Sequence, residues 1–131
     1  MQRLLLVDDD SATRGLLHSA LAMEGYEVCD ADCGDEALRM LDRERPDIVL
    51  TDLIMPGVDG VDLCKAIRAN AKLEDAVIVA LTGGDYPEAL SGLCDVFLRK
   101  PVNIERLIDT LEQLEASKFL NETPVSHDLR W

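Results

Sequence analysis

The chain has 131 residues, with 26 acidic side chains against 13 basic ones and a formal net charge of −13 at pH 7. This length suits one domain, and a hydrophobic content of 47% supplies a core without disulfides or metal staples, which excludes a wholly disordered acidic chain. The charge argues against direct binding to DNA or RNA and against docking on an anionic membrane, because both require a basic face.

Short apolar runs alternate with helical patterns along the chain. The predicted strands are Arg3–Val7, Tyr26–Asp30, Ile48–Leu50, Val77–Leu81 and Val96–Leu98. The predicted helices are Ser11–Met23, Gly34–Arg43, a stripe at Leu63, Cys64 and Ile67, a short segment at Pro87–Leu93, and a last helix after the cap Asn103. Because the strands lack a polar face, we expect an α/β domain over residues 1–116, with a five-stranded parallel sheet covered on both sides, followed by a tail at 117–131.

Periodicity also predicts which helix faces turn inward. In the first helix the recurring apolar residues are Ala12, Leu16, Ala20 and Met23. In the last helix they are Ile104, Leu107, Ile108, Leu111 and Leu114.

No apolar run approaches the roughly 20 residues of a membrane span, and the first residues do not form a signal peptide. Four cysteines occur without a C-x-x-C pair, namely Cys29, Cys33, Cys64 and Cys94. We therefore expect reduced thiols, in or near the core of a cytoplasmic protein.

Polar residues follow four of the predicted strands. Asp8 and Asp9 come after the first strand, Asp52 after the third, Thr82 after the fourth and Lys100 after the fifth. Because the carboxyl ends of parallel strands meet at one edge of a sheet, we expect these side chains to converge. Three gathered carboxylates repel one another, and Mg²⁺ suits such an oxygen-rich site. With an added lysine and hydroxyl, the site favours phosphoryl transfer, in which a carboxylate can act as the nucleophile.

Four segments, LLLVDDD, DIVLTDLIMPGVDG, VIVALTGG and VFLRKP, resemble the receiver (response-regulator) domain of two-component signalling. The resemblance implies a flavodoxin-like doubly wound fold and Mg²⁺-dependent phosphorylation of Asp52 by a sensor histidine kinase or a histidine phosphotransfer protein. A downstream output protein or domain would read the phosphorylated state. The family resemblance thus implies a cytoplasmic phospho-acceptor, slow self-dephosphorylation aside, rather than an enzyme. A homodimer is also compatible with the resemblance.

The same motifs imply a set of metal ligands. Asp9 resembles the direct Mg²⁺ ligand, and Asp8 resembles the residue that supports the ion mainly through water. Asp52 and the backbone carbonyl of Ile54 occupy the positions of the remaining ligands.

Further roles implied by the resemblance concern the phosphoryl group. Thr82 resembles the hydroxyl residue that moves towards it, Lys100 resembles the lysine that pairs with it, and Phe97 occupies the position of the switch aromatic. Lys100–Pro101 lies where the family often keeps a cis peptide bond. Thr82 and Lys100 are only 18 positions apart, about one helical turn fewer than is usual in the family. The resemblance therefore implies a shortened fourth helix and a reshaped surface beside it.

Two other functions fit parts of the pattern. A receiver-like interaction module that takes no phosphate would share the fold, and the shortened helix could hold it in one state. A phosphatase of the haloacid-dehalogenase type would use Asp8 of its Asp-x-Asp motif as nucleophile, but no acidic pair follows Lys100 and Asp52 would have no role. A flavin-binding protein would need a phosphate-cradling loop where the first strand instead ends in aspartates.

Overall fold

One parallel sheet organises the chain, in a computed structural model that describes residues 2–55, 57–85 and 87–119. Its strands are β1 (Arg3–Val7), β2 (Glu27–Ala31), β3 (Ile48–Asp52), β4 (Val77–Thr82) and β5 (Val96–Arg99). The α-helices are α1 (Ser11–Met23), α2 (Gly34–Glu44), α3 (Gly60–Ala69) and α4 (Ile104–Phe119). The strand order is β2-β1-β3-β4-β5, with all pairs parallel. The predicted doubly wound, flavodoxin-like fold is confirmed, since this is the flavodoxin strand order.

The sheet divides the core into two layers because successive side chains of a strand point to opposite faces. Leu5 and Val7 of β1 belong to the layer covered by α2 and α3, while Leu4 and Leu6 belong to the layer covered by α1 and α4. All five residues of β3 are buried. The central strand is therefore enclosed on both faces, as its unbroken apolar sequence predicted.

The predicted inward face of α1 is wrong. Leu17 and Leu21 are the buried residues of this helix, whereas Leu16 is 61% exposed and Met23 is 86% exposed. Leu17 and Leu21 recur at helical spacing on one face of α1, and Ala12, Leu16, Ala20 and Met23 recur on another, so periodicity alone did not decide between the two faces. The buried face carries the branched pair one turn apart, packed with β1, β3 and α4 side chains.

The described residues of the connection from β4 to β5, 83–85 and 87–95, form no α-helix, so the prediction of a helix at Pro87–Leu93 is also wrong. Its one helical element is a 3-10 turn, Glu88–Leu90, in which Leu90 is fully buried. The Arg68 guanidinium of α3 fastens this connection by donating to the Leu93 carbonyl at 2.8 Å and to the Asp95 carboxylate at 2.8 Å. One side chain thereby supplies part of the anchoring that a packed helix would give.

The last helix agrees with its predicted face. Asn103 Oδ1 accepts a hydrogen bond from the Arg106 N–H at 3.1 Å, and Leu107 and Leu111 are fully buried. The helix continues to Phe119, three residues into the predicted tail; the rest of that tail, 120–131, lies outside the described residues. Within the described part of the chain, no helix has both the length and the apolar character that crossing a membrane requires.

Candidate functional site

The carboxylates predicted to converge do so at the carboxyl edge of the sheet. Val7 pairs with Thr51, so the residues that follow β1 lie beside the end of β3. Asp8, Asp9 and Asp52 offer carboxylate oxygens that all lie within 4.8 Å of one another. Asp8 is 1% exposed and Asp52 is 7% exposed, while Asp9 faces solvent.

A lysine from the opposite side of this edge joins two of the carboxylates. Lys100 Nζ donates to Asp52 Oδ2 at 2.8 Å and to Asp8 Oδ2 at 3.3 Å. Burial opposes the charged form of Lys100, but the hydrogen bond and charge of Asp52, together with those of Asp8, outweigh it and raise the pKa of the ammonium. Lys100 is therefore a cation throughout the neutral range.

The charges at this edge do not balance without a further cation. Asp8, Asp9 and Asp52 face the single ammonium of Lys100, and two of the three carboxylates are nearly inaccessible to water. Buried like charges are costly unless a counterion compensates them. A hard divalent cation supplies the missing positive charge and prefers carboxylate oxygens, so the residues present fit Mg²⁺.

Backbone contacts hold the two buried carboxylates in place. The Asp10 N–H donates to Asp8 Oδ1 at 2.9 Å, and the Ile54 N–H donates to Asp52 Oδ1 at 3.3 Å. Arg14 Nη1 donates to the backbone carbonyl of Asp8 at 2.7 Å. Each carboxylate is thus oriented by the loop that follows its strand. Sequence reasoning missed Arg14, although its position one turn after the α1 cap Asp10 is a usable signal.

A glycine lets α3 begin close against the end of β3. A Cβ on Gly60 would lie 2.3 Å from the Asp52 carbonyl oxygen and 2.6 Å from the Leu53 Cα. The Gly60 N–H donates to the Leu53 carbonyl at 3.0 Å. Any side chain at this position would push the helix away from the strand end that carries Asp52, so the glycine fixes the geometry of the site.

Thr82 lies at the end of β4 and is 3% exposed. Its Oγ1 accepts a hydrogen bond from the Gly84 N–H at 3.2 Å, and its backbone carbonyl accepts one from the Lys100 N–H at 2.8 Å. Arg99 Nη1 donates to the Gly84 carbonyl at 3.0 Å, a contact that the sequence did not reveal. The loop after Thr82 is therefore connected directly to the end of β5.

The remaining predicted site residues lie beside this cluster. Phe97 is 5% exposed and belongs to the layer that contains Leu90 and Cys94, so its ring is already packed inside the protein. The side chain of Ile54 is exposed, and the residue follows Asp52 by two positions. Lys100–Pro101 is a cis peptide bond.

The cysteines are all free, in agreement with the predicted absence of disulfides. Burial raises the pKa of Cys64 to about 12 and that of Cys94 to about 11. Both therefore behave as small apolar core residues rather than as reactive thiols.

Comparison with known proteins gives consistent matches. A family model, the response regulator receiver domain, matches residues 4–112. Response regulator MprA of Mycobacterium leprae is 39% identical over 116 residues, which are 86% of this chain and 50% of that protein. The chain spans about half the length of the curated relatives it matches.

The chain also matches solved structures of similar fold, over nearly the whole length of each of them. The chemotaxis protein CheY4 of Vibrio cholerae matches with a TM-score of 0.79 and 33% identity, over 86% of this chain and 97% of that one. The receiver domain of the sensor histidine kinase PA1611 of Pseudomonas aeruginosa PAO1 matches with a TM-score of 0.78 and 29% identity, over 85% of this chain and 94% of that one. That domain was solved with a magnesium ion coordinated in its active-site cleft.

Proposed function

This chain belongs to the response regulator receiver domain family of two-component signalling, and we propose that it accepts a phosphoryl group on Asp52 from a sensor histidine kinase or a histidine phosphotransfer protein. Domains of this family are typically signalling domains rather than enzymes. The phosphorylated form would be read by a downstream output protein or domain, in the cytoplasm.

One observation carries this proposal. The Asp52 carboxylate lies 2.8 Å from the Lys100 ammonium and within 4.8 Å of carboxylate oxygens of Asp8 and Asp9. In the proposed reaction an oxygen of Asp52 attacks phosphorus, an O–P bond forms, and the P–N bond of the donor phosphohistidine breaks. The departing imidazole nitrogen keeps the electron pair of that bond and then takes up a proton. The product on this chain is an acyl phosphate.

The neighbouring residues have distinct proposed roles. Lys100 neutralises charge on the transferred group, and the Thr82 hydroxyl donates a hydrogen bond to a phosphoryl oxygen. Asp8, Asp9, Asp52 and the Ile54 carbonyl would hold Mg²⁺. When bound, that ion supplies positive charge to the phosphoryl oxygens. The magnesium found in the Pseudomonas receiver domain supports this assignment.

Phe97 enters the proposal with a changed role. Phe97 is 5% exposed and lies in the layer that contains Leu90 and Cys94, so its ring already occupies an inward position. We propose that the residue instead supports the loop after Thr82 from within the core. The movement that reports phosphorylation then belongs to the connection between β4 and β5.

The decisive experiment is intact mass spectrometry after incubation with a small acyl-phosphate donor and Mg²⁺. The wild-type chain should gain one phosphoryl group, and Asp52→Asn should gain none while retaining its circular dichroism spectrum. Asp62→Asn is a matched control, because Asp62 is an exposed carboxylate of α3 that does not belong to the cluster of Asp8, Asp9 and Asp52. Undiminished labelling of Asp52→Asn would contradict the assignment. A wild-type chain that bound Mg²⁺ but never gained the group would instead be a phosphorylation-independent interaction module.

A further inference from the structure

The two polar groups of the Gly84 backbone are engaged in opposite directions. Its N–H donates to Thr82 Oγ1 at 3.2 Å, and its carbonyl accepts from Arg99 Nη1 at 3.0 Å. Arg99 is also the register partner of Thr82 across the β4–β5 pair. A continuous chain of contacts thus runs from the Arg99 guanidinium through one glycine to the buried hydroxyl of Thr82.

In the described part of this loop, residues 83–85, side chains make three contacts: the two Gly84 hydrogen bonds and an ion pair at Asp85. Gly83 and Gly84 have no side chains, and nothing lies within 4 Å of the place a Cβ of Gly83 would occupy. The ion pair between Arg99 and Asp85 is long, at 3.7 Å, and the Asp85 side chain is fully exposed, so it contributes little. The hydrogen bond to the Gly84 carbonyl is therefore the main restraint that Arg99 exerts.

The restraint has a chemical consequence at Thr82. A hydroxyl has one donor and two acceptor sites, and the Gly84 N–H occupies one of the acceptors. The Thr82 O–H remains the donor, in a position that is 3% exposed and hence shielded from competing water. An ordered Gly84 thus prepares the hydroxyl to donate to an incoming acceptor.

We propose that Arg99 is a positioning residue for phosphorylation, which orients the Thr82 hydroxyl through the backbone of Gly84. This inference rests on the proposed function of Asp52 as phospho-acceptor. Arg99 itself touches neither the acceptor carboxylate nor, in our account, the phosphoryl group. Its effect must therefore pass entirely through Thr82.

That dependence can be tested with a double-mutant cycle. The rate of phosphorylation by a small acyl-phosphate donor with Mg²⁺ is measured by intact mass for the wild-type chain, Arg99→Ala, Thr82→Ala and the double variant. Arg99→Ala should slow the reaction about three- to tenfold, the effect of one net hydrogen bond. In the Thr82→Ala background the same change should have no further effect.

Three additional variants separate positioning from general damage to the fold. Asp85→Asn removes the long ion pair but leaves the Gly84 contact, and should react at the wild-type rate. Arg99→Lys keeps a donor and should recover part of the rate. Gly84→Ala restricts the loop directly, because its Cβ would make only an ordinary 3.9 Å contact with Thr82 Oγ1, and should partly rescue Arg99→Ala.

The outcomes distinguish the two proposals. Arg99→Ala could slow the reaction equally in chains that carry Thr82 and in chains that carry Thr82→Ala, or Gly84→Ala could fail to rescue Arg99→Ala. Either result would overturn the role of Arg99 and leave Asp52 as the acceptor. A wild-type chain that takes no phosphate would overturn both, since nothing would remain for Arg99 to position. If Arg99→Ala slows the reaction only in chains that keep Thr82, and leaves their thermal stability unchanged, the positioning role of Arg99 is established.

Discussion

Replacing Lys100 with methionine removes the one ammonium that lies between Asp8 and Asp52 while keeping a side chain of similar length. The two carboxylates are 1% and 7% exposed and would face each other without a cation. We expect the Lys100→Met variant to fold, but with a much lower free energy of unfolding in the absence of Mg²⁺.

The magnitude follows from burial. Removing one partner of a buried ion pair costs about 3–5 kcal/mol, because the other charge is left uncompensated. The Lys100 side chain is 27% exposed, so water reaches part of it and the lower figure applies. A loss of about 3 kcal/mol is a large part of the roughly 5–15 kcal/mol that stabilises a domain of this kind, and it corresponds to a fall in Tm of about 10 °C.

Mg²⁺ should reduce the difference in the free energy of unfolding between Lys100→Met and the wild-type chain. In the variant the ion replaces the lost positive charge, so it binds more tightly and stabilises the fold more than it does the wild-type chain. The pH dependence has a defined sign as well. Because the folded protein raises the pKa of Lys100, its contribution is fully present below the ordinary lysine value and is lost only as the pH rises through the raised value.

The assay is urea unfolding followed by far-ultraviolet circular dichroism, with and without saturating Mg²⁺. Lys65→Met is the matched control, since Lys65 is exposed on α3 and its replacement should change stability by less than about 0.5 kcal/mol. If Lys100→Met costs no more than Lys65→Met, or if Mg²⁺ stabilises both variants equally, the electrostatic account of the site is refuted.

Three further predictions use other parts of the molecule. Mg²⁺ should raise the Tm of the wild-type chain but not of Asp9→Ala, and a normal response in that variant would exclude Asp9 as a ligand. Amide hydrogen exchange of residues 83–93 should slow on adding beryllofluoride with Mg²⁺. Strong protection of this segment already present without the mimic would contradict its ordering by phosphorylation. Because burial raises the pKa of Cys64 to about 12 and of Cys94 to about 11, urea midpoints should fall as the pH rises above the ordinary thiol value of 9.0, and a flat alkaline profile would contradict this.

Local sequence patterns predicted the sheet well. Unbroken apolar runs such as Ile48–Leu50 identify strands enclosed on both faces, and the parallel arrangement then brings Asp8, Asp52 and Lys100 to one edge. All of this follows from sequence order, because each residue stands at the carboxyl end of its strand or directly after it. The convergence of the site needed no information beyond the alternation of elements.

Contacts between distant segments could not be predicted in the same way. Arg68 reaches Asp95, which is 27 positions away, and Arg99 reaches Gly84, which is 15 positions away. No periodic pattern marks such pairs, since they depend on how long side chains are directed after packing. The buried face of α1 was predicted wrongly for a related reason. Two apolar stripes run along this helix, and only packing against the assembled sheet determines that Leu17 and Leu21 are the buried ones.

The division of the core by the sheet has a consequence for engineering this protein. Phe97 of β5 and Leu90 of the β4–β5 connection belong to the layer beneath α2 and α3, whereas Leu17 and Leu107 belong to the opposite layer. Substitutions that share no contacts have nearly additive effects. Thermal robustness can therefore be raised by repacking under α1 and α4, while the sensitivity of the switch is adjusted independently from the other side of the sheet.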